Sequence, residues 1–325
     1  MAQRRSPRLA LSAWSALSIC LATACAAAPG AISLPGDRLH PESVSITDDG
    51  TAYVGSMTGG VVRVSLQDGS AEPWIAPGAY GSGALFGVLA DTRNGLLWTC
   101  TNSFPAPATV VPGADPGHWL KGFDLATGEG RVSLQLPGEN AVCNDIAVGK
   151  DGAVYVTDTR QPHILRWTPG AEALEIWADD PLFEAVPMKG GLDGIAFGAD
   201  GHLYLTNVWD GSIYRASVKG DGSFGGATRL ALSRPLENPD GMRPLGGMAF
   251  IVAESAGRIS VLEVSADGAE VTTVSEAGHP TGVHPRFHGH LREGRSRPEE
   301  CSCRSEGSSA PSSSAVLLSR PASRV

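Results

Sequence analysis

The stretch that decides the fold runs from Asn144 to Thr159 and reads NDIAVGKDGAVYVTDT. It places an apolar segment, a Lys-Asp-Gly turn and a second apolar segment in direct succession. β-Branched residues alternate on both sides of a turn that tolerates positive φ, and this pattern is typical of a β-hairpin. The stretch therefore predicts two paired strands near the middle of the chain.

The same unit recurs along the chain. Further copies begin at Glu42 (ESVSITDDGTAYVGS), Gly87 (GVLADTRNGLLWTCT) and Asp193 (DGIAFGADGHLYLTN), and a looser copy begins at Asp240 (DGMRPLGGMAFIVAE). Successive copies are 45 to 57 residues apart, which is a typical period for propeller blades. The repeats therefore predict an all-β propeller that occupies most of the chain.

Four of the five repeats place a side-chain oxygen at one position. Counting back eight residues from each turn glycine gives Glu42, Gly87, Asn144 and Asp193, and the shorter fifth copy gives Asp240. The first strand of a propeller blade lines the central axis, so these positions should face one another across the channel. Carboxylates held this close would repel unless a cation lay between them, which predicts a metal site. Alternatively, Asp and Asn merely begin turns and strands, but this does not explain the common register.

Charge limits the classes of partner. The formal net charge is −9; residues 1–28 and 284–325 each carry +3, so the middle of the chain carries −15. A surface this acidic argues against binding to nucleic acid or to an anionic membrane. The sequence also contains no Gly-x-Ser-x-Gly elbow and no phosphate-binding loop.

The cysteines leave one question open. Cys100 and Cys143 belong to the repeats, whereas Cys301 and Cys303 lie in an atypical C-terminal segment. The sequence does not decide whether Cys100 and Cys143 pair. We expect two small buried hydrophobic residues, with a disulfide as the alternative.

Residues 1–28 are predicted to be a signal peptide. Three arginines precede an apolar run from Leu9 to Leu21, which is too short to span a membrane comfortably, and small residues follow it. We expect export to the periplasm or the cell exterior. Leu21–Cys25 is also a loose lipoprotein box, so a lipid anchor on Cys25 is the alternative. No other stretch is apolar enough to predict a transmembrane segment.

The predicted propeller covers residues 29–283. Ala31–Leu34 is a candidate strand for completing the last blade. A sixth blade should begin at Pro280–Val283, but the strand pattern stops there, and residues 284–325 are rich in Arg, Ser, Pro and Gly. This tail should be largely disordered. The abrupt switch indicates a change of reading frame, and a natural extension that replaces the blade is the alternative.

The second repeat is interrupted by a segment rich in Pro and Gly, SFPAPATVVPGADPGHW, which begins at Ser103. Insertions in propeller blades form loops, often on the binding face. The segment is therefore predicted to be either a lid over the channel or an inert surface loop. His118, which lies within it, is predicted to be a surface residue and not a catalyst.

Four motifs carry a family resemblance. They are PES at 41–43, CNDIAV at 143–148, GLDGIAF at 191–197 and NPDGM at 238–242. With these motifs in this order, the chain resembles the SMP-30/gluconolactonase/luciferin-regenerating-enzyme family of six-bladed propellers, from about Ala31 to Val283. The resemblance implies a six-bladed β-propeller whose sixth blade is here incomplete.

The resemblance also implies site residues. Members of that family are typically divalent-cation-dependent hydrolases that act mostly on lactones. Glu42 and Asp240 would be metal ligands, and Asn144 would lie near both the metal and the substrate. Asp193 stands where the family usually has a metal-ligating Asn. This extra charge favours Ca²⁺, with Zn²⁺, Mn²⁺ and Mg²⁺ as alternatives, but it would weaken the ion as a Lewis acid.

The leading hypothesis is an exported, metal-dependent lactonase or ester hydrolase acting on a small molecule. Asp240 would take a proton from the attacking water, and Asn144 would assist in the pocket. One alternative is a non-catalytic propeller that binds a small ligand or a protein and holds a structural cation. Another is a strictosidine-synthase-like propeller, which shares the fold but has different pocket chemistry.

Overall fold

A computed structural model describes residues 31–36, 39–104, 110–184, 191–255, 257–278 and 315–316. Apart from two single-turn 3₁₀ helices, Ala79–Gly81 and Pro181–Phe183, the regular structure in these ranges consists of strands. The turn glycines of the hairpins, such as Gly152 at φ 83° and Gly201 at φ 79°, adopt the left-handed conformation that glycine tolerates best.

The described strands form five blade-like sheets and one short pair. The short pair is β1 (Ile32–Ser33) with β23 (Ala315–Val316). The first blade is β2 (Pro41–Ile46), β3 (Thr51–Ser56), β4 (Val61–Ser65) and β5 (Ala71–Ile75). The second blade is β6 (Ala84–Asp91), β7 (Leu96–Asn102), β8 (His118–Asp124) and β9 (Gly130–Gln135). The third blade is β10 (Cys143–Val148), β11 (Val154–Asp158), β12 (His163–Trp167) and β13 (Glu175–Asp179).

The remaining two blades continue the pattern. The fourth is β14 (Leu192–Phe197), β15 (Leu203–Asn207), β16 (Ile213–Val218) and β17 (Phe224–Arg229). The fifth is β19 (Pro239–Gly246), β20 (Ala249–Glu254), β21 (Arg258–Val264) and β22 (Glu270–Gly278), and β18 (Ala231–Leu232) adds to β22 in parallel. Within each blade, strands that follow one another in the chain pair antiparallel.

The blades are arranged as in a propeller. The inner strands pack in sequence, β2 against β6, β6 against β10, β10 against β14 and β14 against β19. Apolar side chains of neighbouring blades form the core between them, for example Ile146 with Cys100 and Ile195 with Tyr155. Among the described residues, no comparable packing joins β19 back to β2. The all-β propeller is confirmed, with five blades in the described ranges.

One expectation from the sequence is wrong, and one stays untested. Cys100 and Cys143 are not separate thiols but form a disulfide with a Cα–Cα distance of 5.0 Å, which joins β7 of the second blade to β10 of the third. That Ala31–Leu34 completes the last, sixth blade stays a prediction, because the start of that blade lies outside the described ranges; within them, Ile32–Ser33 pairs with Ala315–Val316.

Several sequence predictions concern residues that the structure does not describe. The signal peptide, 1–28, and the start of a sixth blade at 280–283 lie outside the described ranges. The same holds for the tail, 284–325, except for the two residues of β23. Within the described ranges, the structure contains no helix with the length and hydropathy of a membrane span.

Candidate metal and catalytic site

Each inner strand contains a β-bulge close to its beginning, where the pairing with the second strand of the blade shifts. The shifts follow Pro41, Leu85, Cys143, Leu192 and Pro239. In four blades the next residue is one of the predicted site residues, Glu42, Asn144, Asp193 and Asp240, which we call the polar cluster. A bulge bends its strand and re-aims the side chains there. The bulges therefore give a structural reason for the common register found in the sequence.

The second blade carries an aromatic side chain at this level. Counting from the turn glycine gave Gly87, but the bulge of β6 contains both Phe86 and Gly87, and Phe86 occupies the position equivalent to Asn144. The Phe86 ring lies 5.6 Å from that of Phe104, measured between centroids, and the Phe104 ring lies 5.6 Å from that of His118. Among the five described blades, four place a polar residue at this level and the second places an aromatic one.

Glycine in the bulges permits neighbouring inner strands to approach closely. A Cβ atom on Gly87 would lie 2.4 Å from the carbonyl oxygen of Asn144, and one on Gly194 would lie 2.4 Å from the amide nitrogen of Met242. Both distances are too short for a carbon atom to fit without movement of the backbone. These two glycines therefore allow the inner strands of neighbouring blades to lie closer together than side-chain-bearing residues would permit.

Blades one and three have polar side chains instead of glycine at the second bulge position. Ser43 Oγ accepts a hydrogen bond from the Val88 amide at 3.0 Å, and Asp145 Oδ2 accepts one from the Ile195 amide at 3.2 Å. In each case the donor belongs to the inner strand of the next blade. These bonds fix neighbouring inner strands to one another beside the polar cluster.

The polar cluster is held together by direct contacts. Asn144 Nδ2 donates to Asp193 Oδ2 at 3.1 Å and to Thr159 Oγ1 at 2.7 Å. The Gly241 amide donates to Asp240 Oδ1 at 2.9 Å. All four residues of the cluster are buried, with exposed fractions of 3–5%. The structure thus places these polar groups in a site almost closed to solvent.

The charges of the neighbouring carboxylates act on the pKa of Asp193. Burial raises the pKa of Asp193 well above its usual range, and the charges of Asp240, Glu42 and Asp145 raise it further. A hydrogen bond with the Asp240 carboxyl acts in the same direction. This pattern means that the three acidic side chains of the polar cluster lie close enough to repel one another. Such a set is stabilised either by shared protons or by a cation.

The residues of the cluster fit a hard divalent ion in type. Their donor set is three carboxylates and one amide oxygen, and Asn144 Oδ1 is buried without a hydrogen-bond partner in the structure. Within the described ranges, however, no three His, Cys, Asp or Glu side chains are grouped as metal ligands. The Asn144 amide and the Asp240 carboxyl both make hydrogen bonds with Asp193.

Arg243 is a feature of the axis that the sequence analysis missed. It lies on β19 and is 1% exposed. Its Nη1 donates to Asp145 Oδ2 at 2.7 Å, and its Nη2 donates to the Val88 carbonyl at 3.1 Å and approaches Ser43 Oγ at 3.5 Å. One side chain of blade five therefore contacts blades one, two and three. The sequence did contain a signal for this residue, because arginine is rarely buried and Arg243 is a lone arginine within a predicted inner strand.

His118 differs from its prediction as a surface residue. It is half-buried in β8, and its Nδ1 lies 2.8 Å from Asn102 Oδ1. Burial lowers the pKa of His118, and the charge of Arg160 lowers it further, so the ring is neutral at pH 7. Asn102 also pairs with both backbone groups of Cys143, at 2.8 and 3.1 Å. His118 thus belongs to the packing next to Asn144.

The described part of the Pro/Gly-rich insertion is anchored by a buried lysine. Lys121 Nζ donates to Asp115 Oδ2 and to the Tyr80 carbonyl, both at 2.6 Å. The side chain of Lys121 is 1% exposed, and with a third bond to Ser133 Oγ at 3.1 Å each of its three N–H donors has a partner that replaces water. Residues 105–109 lie outside the described ranges, and a lid at this point stays a prediction.

No protein-family model matches the sequence, and no curated protein matches it. Solved structures do match. A gluconolactonase from Xanthomonas campestris is 19% identical, with 78% of this chain and 88% of that chain covered and a TM-score of 0.54. Virginiamycin B lyase from Staphylococcus aureus is 17% identical, with 80% and 90% covered and a TM-score of 0.52. The chain has a gluconolactonase-like fold.

The match to gluconolactonases agrees with the family resemblance seen in the motifs, at the level of the fold. The same fold occurs in the allergen Mala s 1 of Malassezia sympodialis, which is 14% identical with 78% of this chain and 83% of that chain covered and a TM-score of 0.59. One architecture therefore carries a lactonase, a lyase and an allergen. The activity of this chain must be argued from its own site residues.

Proposed function

We propose that the protein is a divalent-metal-dependent hydrolase of lactones or related esters. The observation that supports this most is the placement of Glu42, Asn144, Asp193 and Asp240 at equivalent bulges of four inner strands. The Asn144–Asp193 hydrogen bond and the charges acting on Asp193 link these residues into one site. Acidic side chains gathered in a buried site are the arrangement expected for binding a hard cation.

Glu42, Asp193, Asp240 and the amide oxygen of Asn144 would hold the ion, and Ca²⁺ fits this oxygen-only donor set best. When bound, such an ion supplies Lewis-acid polarisation of a carbonyl group. Asp193 adds a negative charge where a neutral amide would suffice. It therefore strengthens retention of the cation and weakens the polarisation that the cation can provide.

The chain's own groups supply the proton chemistry. The Gly241 amide donates to Asp240 Oδ1 and orients the carboxylate, which would take a proton from an attacking water once the ion replaces its hydrogen bond with Asp193. Thr159 Oγ1 and Asp193 Oδ2 accept from both N–H groups of Asn144, so its Oδ1 is the atom left for the ion, and Asn144 would assist by holding the ion beside the substrate. The buried surroundings strengthen both interactions because little water competes with them.

The site favours a neutral substrate. Phe86 and Phe104 provide an apolar wall at the position that the other blades fill with polar groups. A lactone is uncharged, whereas the carboxylate that its hydrolysis forms would be repelled by the acidic residues of the cluster. This difference favours binding of the substrate and release of the product.

We also propose export and a sixth blade. A signal peptide at 1–28 would direct the chain to the periplasm or the cell exterior, with a lipid anchor on Cys25 as the alternative. The Cys100–Cys143 disulfide supports this, since disulfides persist in oxidising compartments. A sixth blade would lie between β19 and β2, where the described blades do not pack.

The function is tested with a panel of lactones and aryl esters, assayed on purified protein before and after removal of divalent ions. We expect turnover of at least one lactone that is lost on chelation and regained with Ca²⁺. Binding of Ca²⁺ without turnover of any substrate would favour the non-catalytic alternative. Turnover that is unaffected by chelation would contradict the metal-dependent chemistry.

A further inference from the structure

Two buried threonine hydroxyls connect the site-bearing strands of successive blades. Thr157 lies on β11 of the third blade, and its Oγ1 accepts a hydrogen bond from the Asp145 amide at 3.0 Å. The same hydroxyl donates to the carbonyl oxygen of Asp193, in the fourth blade, at 2.6 Å. Thr157 therefore joins the bulge of its own blade to the bulge of the next blade.

Thr206 repeats this arrangement one blade further on. It lies on β15, and its Oγ1 accepts from the Gly194 amide at 2.7 Å and donates to the carbonyl oxygen of Asp240 at 2.7 Å. Both threonines have no exposed surface. Each hydroxyl uses its one proton and one of its lone pairs, so both ends of the link are defined.

We infer that Thr157 and Thr206 are positioning residues, which set the backbone of Asp193 and Asp240 respectively. This inference rests on the proposed function. A bulge leaves backbone groups without their ladder partners, and buried backbone groups need a replacement. The threonine hydroxyls supply that replacement at the two bulges that carry Asp193 and Asp240. The backbone carbonyls of Asp193 and Asp240 are thus each held by a threonine of the preceding blade.

The fold itself does not require these hydroxyls. The residue equivalent to Thr157 is Gly55 in the first blade and Ala253 in the fifth, and both blades form the same sheet without a hydroxyl there. Cys100 is the equivalent in the second blade, and it has no hydroxyl but forms the disulfide with Cys143. The two-ended link is therefore found at Asp193 and Asp240 and is not repeated in every described blade.

The inference is tested by substituting Thr157→Val and Thr206→Val in the full chain, because valine has nearly the same shape without the hydroxyl. Thr157→Ser and Thr206→Ser keep the hydroxyl and serve as rescue variants. Thr99→Val is the matched control. Thr99 is also fully buried, and its Oγ1 lies 3.4 Å from the backbone carbonyl oxygen of Lys121, which is not a residue of the polar cluster. Calcium is titrated calorimetrically into each metal-free protein.

We expect Thr206→Val and Thr157→Val to weaken Ca²⁺ binding by about tenfold or more, the range typical for residues that orient metal ligands. Lactone turnover should fall at saturating Ca²⁺, with a larger effect on kcat than on KM. The serine variants and Thr99→Val should bind Ca²⁺ as the unaltered protein does. Valine variants that match Thr99→Val in Ca²⁺ binding and turnover would overturn the inference.

A second readout separates this inference from the proposed function. If the unaltered protein binds no divalent ion, the proposed function fails, and amide hydrogen exchange decides on positioning. Loss of the hydroxyl of Thr206 should speed exchange of the Gly194 amide, and loss of that of Thr157 should speed exchange of the Asp145 amide. Exchange at these amides that is no faster than in Thr99→Val would show that the threonines do not fix the bulges.

Discussion

At the scale of single residues, the charge of Asp193 should have opposite effects on cation binding and on catalysis. It is the most crowded acid of the polar cluster, since the charges of Glu42, Asp145 and Asp240 all act on it. An asparagine at this position would keep the same oxygen donor and remove one negative charge. The two roles of the site should therefore respond differently to this one change.

We predict that Asp193→Asn weakens Ca²⁺ binding by about tenfold, which corresponds to about 1.4 kcal/mol. At saturating Ca²⁺ its turnover of a lactone should be equal to or higher than that of the unaltered protein, because the ion is less neutralised and polarises the carbonyl more strongly. Calcium titration and steady-state kinetics measure the two effects. Asp240→Asn is the control and should lose turnover even at saturating Ca²⁺. Loss of turnover in Asp193→Asn under the same conditions would contradict this division of roles.

The sequence identified the residues of the polar cluster but not what holds them. Glu42, Asn144 and Asp193 follow from one rule, a distance of eight residues to the turn glycine, and Asp240 is the matching residue of the shorter fifth copy. Arg243 could not be found in this way, since its partners come from three other blades. For the same reason the sequence did not reveal the links through threonine hydroxyls, which depend on how two blades pack.

At the scale of structural elements, an ion pair joins the segment before β19 to the neighbouring strand β20. Arg234 Nη2 donates to Glu254 Oε1 at 2.5 Å and its Nη1 donates to Oε2 at 3.1 Å. The Glu237 amide also donates to Glu254 Oε2, at 2.7 Å. These bonds hold the segment that leads into Asp240. Glu254 has no exposed surface, so it depends on these partners.

The pH dependence of stability should report this pair. Burial would raise the pKa of Glu254, but hydrogen bonds from Arg234, the Glu237 amide and Ser260 outweigh it and hold the pKa below its ordinary value. A lowered carboxyl pKa stabilises the fold above the unfolded-state value and loses that stabilisation as the pH falls through the folded-state value.

We predict that Arg234→Met lowers the free energy of unfolding by about 2–4 kcal/mol at pH 7, because it leaves the Glu254 carboxylate without its guanidinium. Arg234 is 22% exposed, which favours the lower end of this range. The difference should shrink below about pH 4, where Glu254 is neutral in the variant and in the unfolded chain. Urea unfolding at pH 7 and at pH 3.5 measures it. An equal difference in the free energy of unfolding at the two pH values would show that the Arg234–Glu254 ion pair does not account for the loss.

Some elements could be predicted and others could not. Alternating apolar residues around Gly152 and Gly201 fixed the hairpins, because the strand period is two and the turn needs positive φ. The disulfide was the alternative and not the expectation, since Cys100 and Cys143 are 43 residues apart and only the packing of blade two on blade three brings them together. The bulges were missed because one additional residue in a strand leaves no compositional signal.

At the scale of the whole molecule, Arg243 is the contact that crosses the axis. The described blades pack in sequence from the first to the fifth, and the inner strands β19 and β2 do not pack on each other within those ranges. The Arg243 guanidinium nevertheless reaches Asp145 in blade three and Val88 in blade two. This side chain therefore supports the arrangement of blades independently of strand packing.

We predict that Arg243→Met lowers the free energy of unfolding by about 3–5 kcal/mol, because it leaves Asp145 buried without its cationic partner. Asp145→Asn in the same chain should restore part of the loss, since the amide needs no counter-charge. A double-mutant cycle of the two substitutions by urea unfolding measures the coupling. Additive losses would mean that the pair does not act as a unit.

The most direct test of the polar cluster is calorimetric titration of Ca²⁺ into the metal-free full chain and into four variants, Glu42→Gln, Asn144→Ala, Asp193→Asn and Asp240→Asn. Each substitution removes a charge or an oxygen donor from a different inner strand. We predict one saturable site per chain, weakened by about tenfold or more in every variant, because all four residues serve the same ion. The Thr99→Val protein should bind as the unaltered chain does. Absence of a saturable site, or variants that bind Ca²⁺ as tightly as the unaltered protein, would contradict the account.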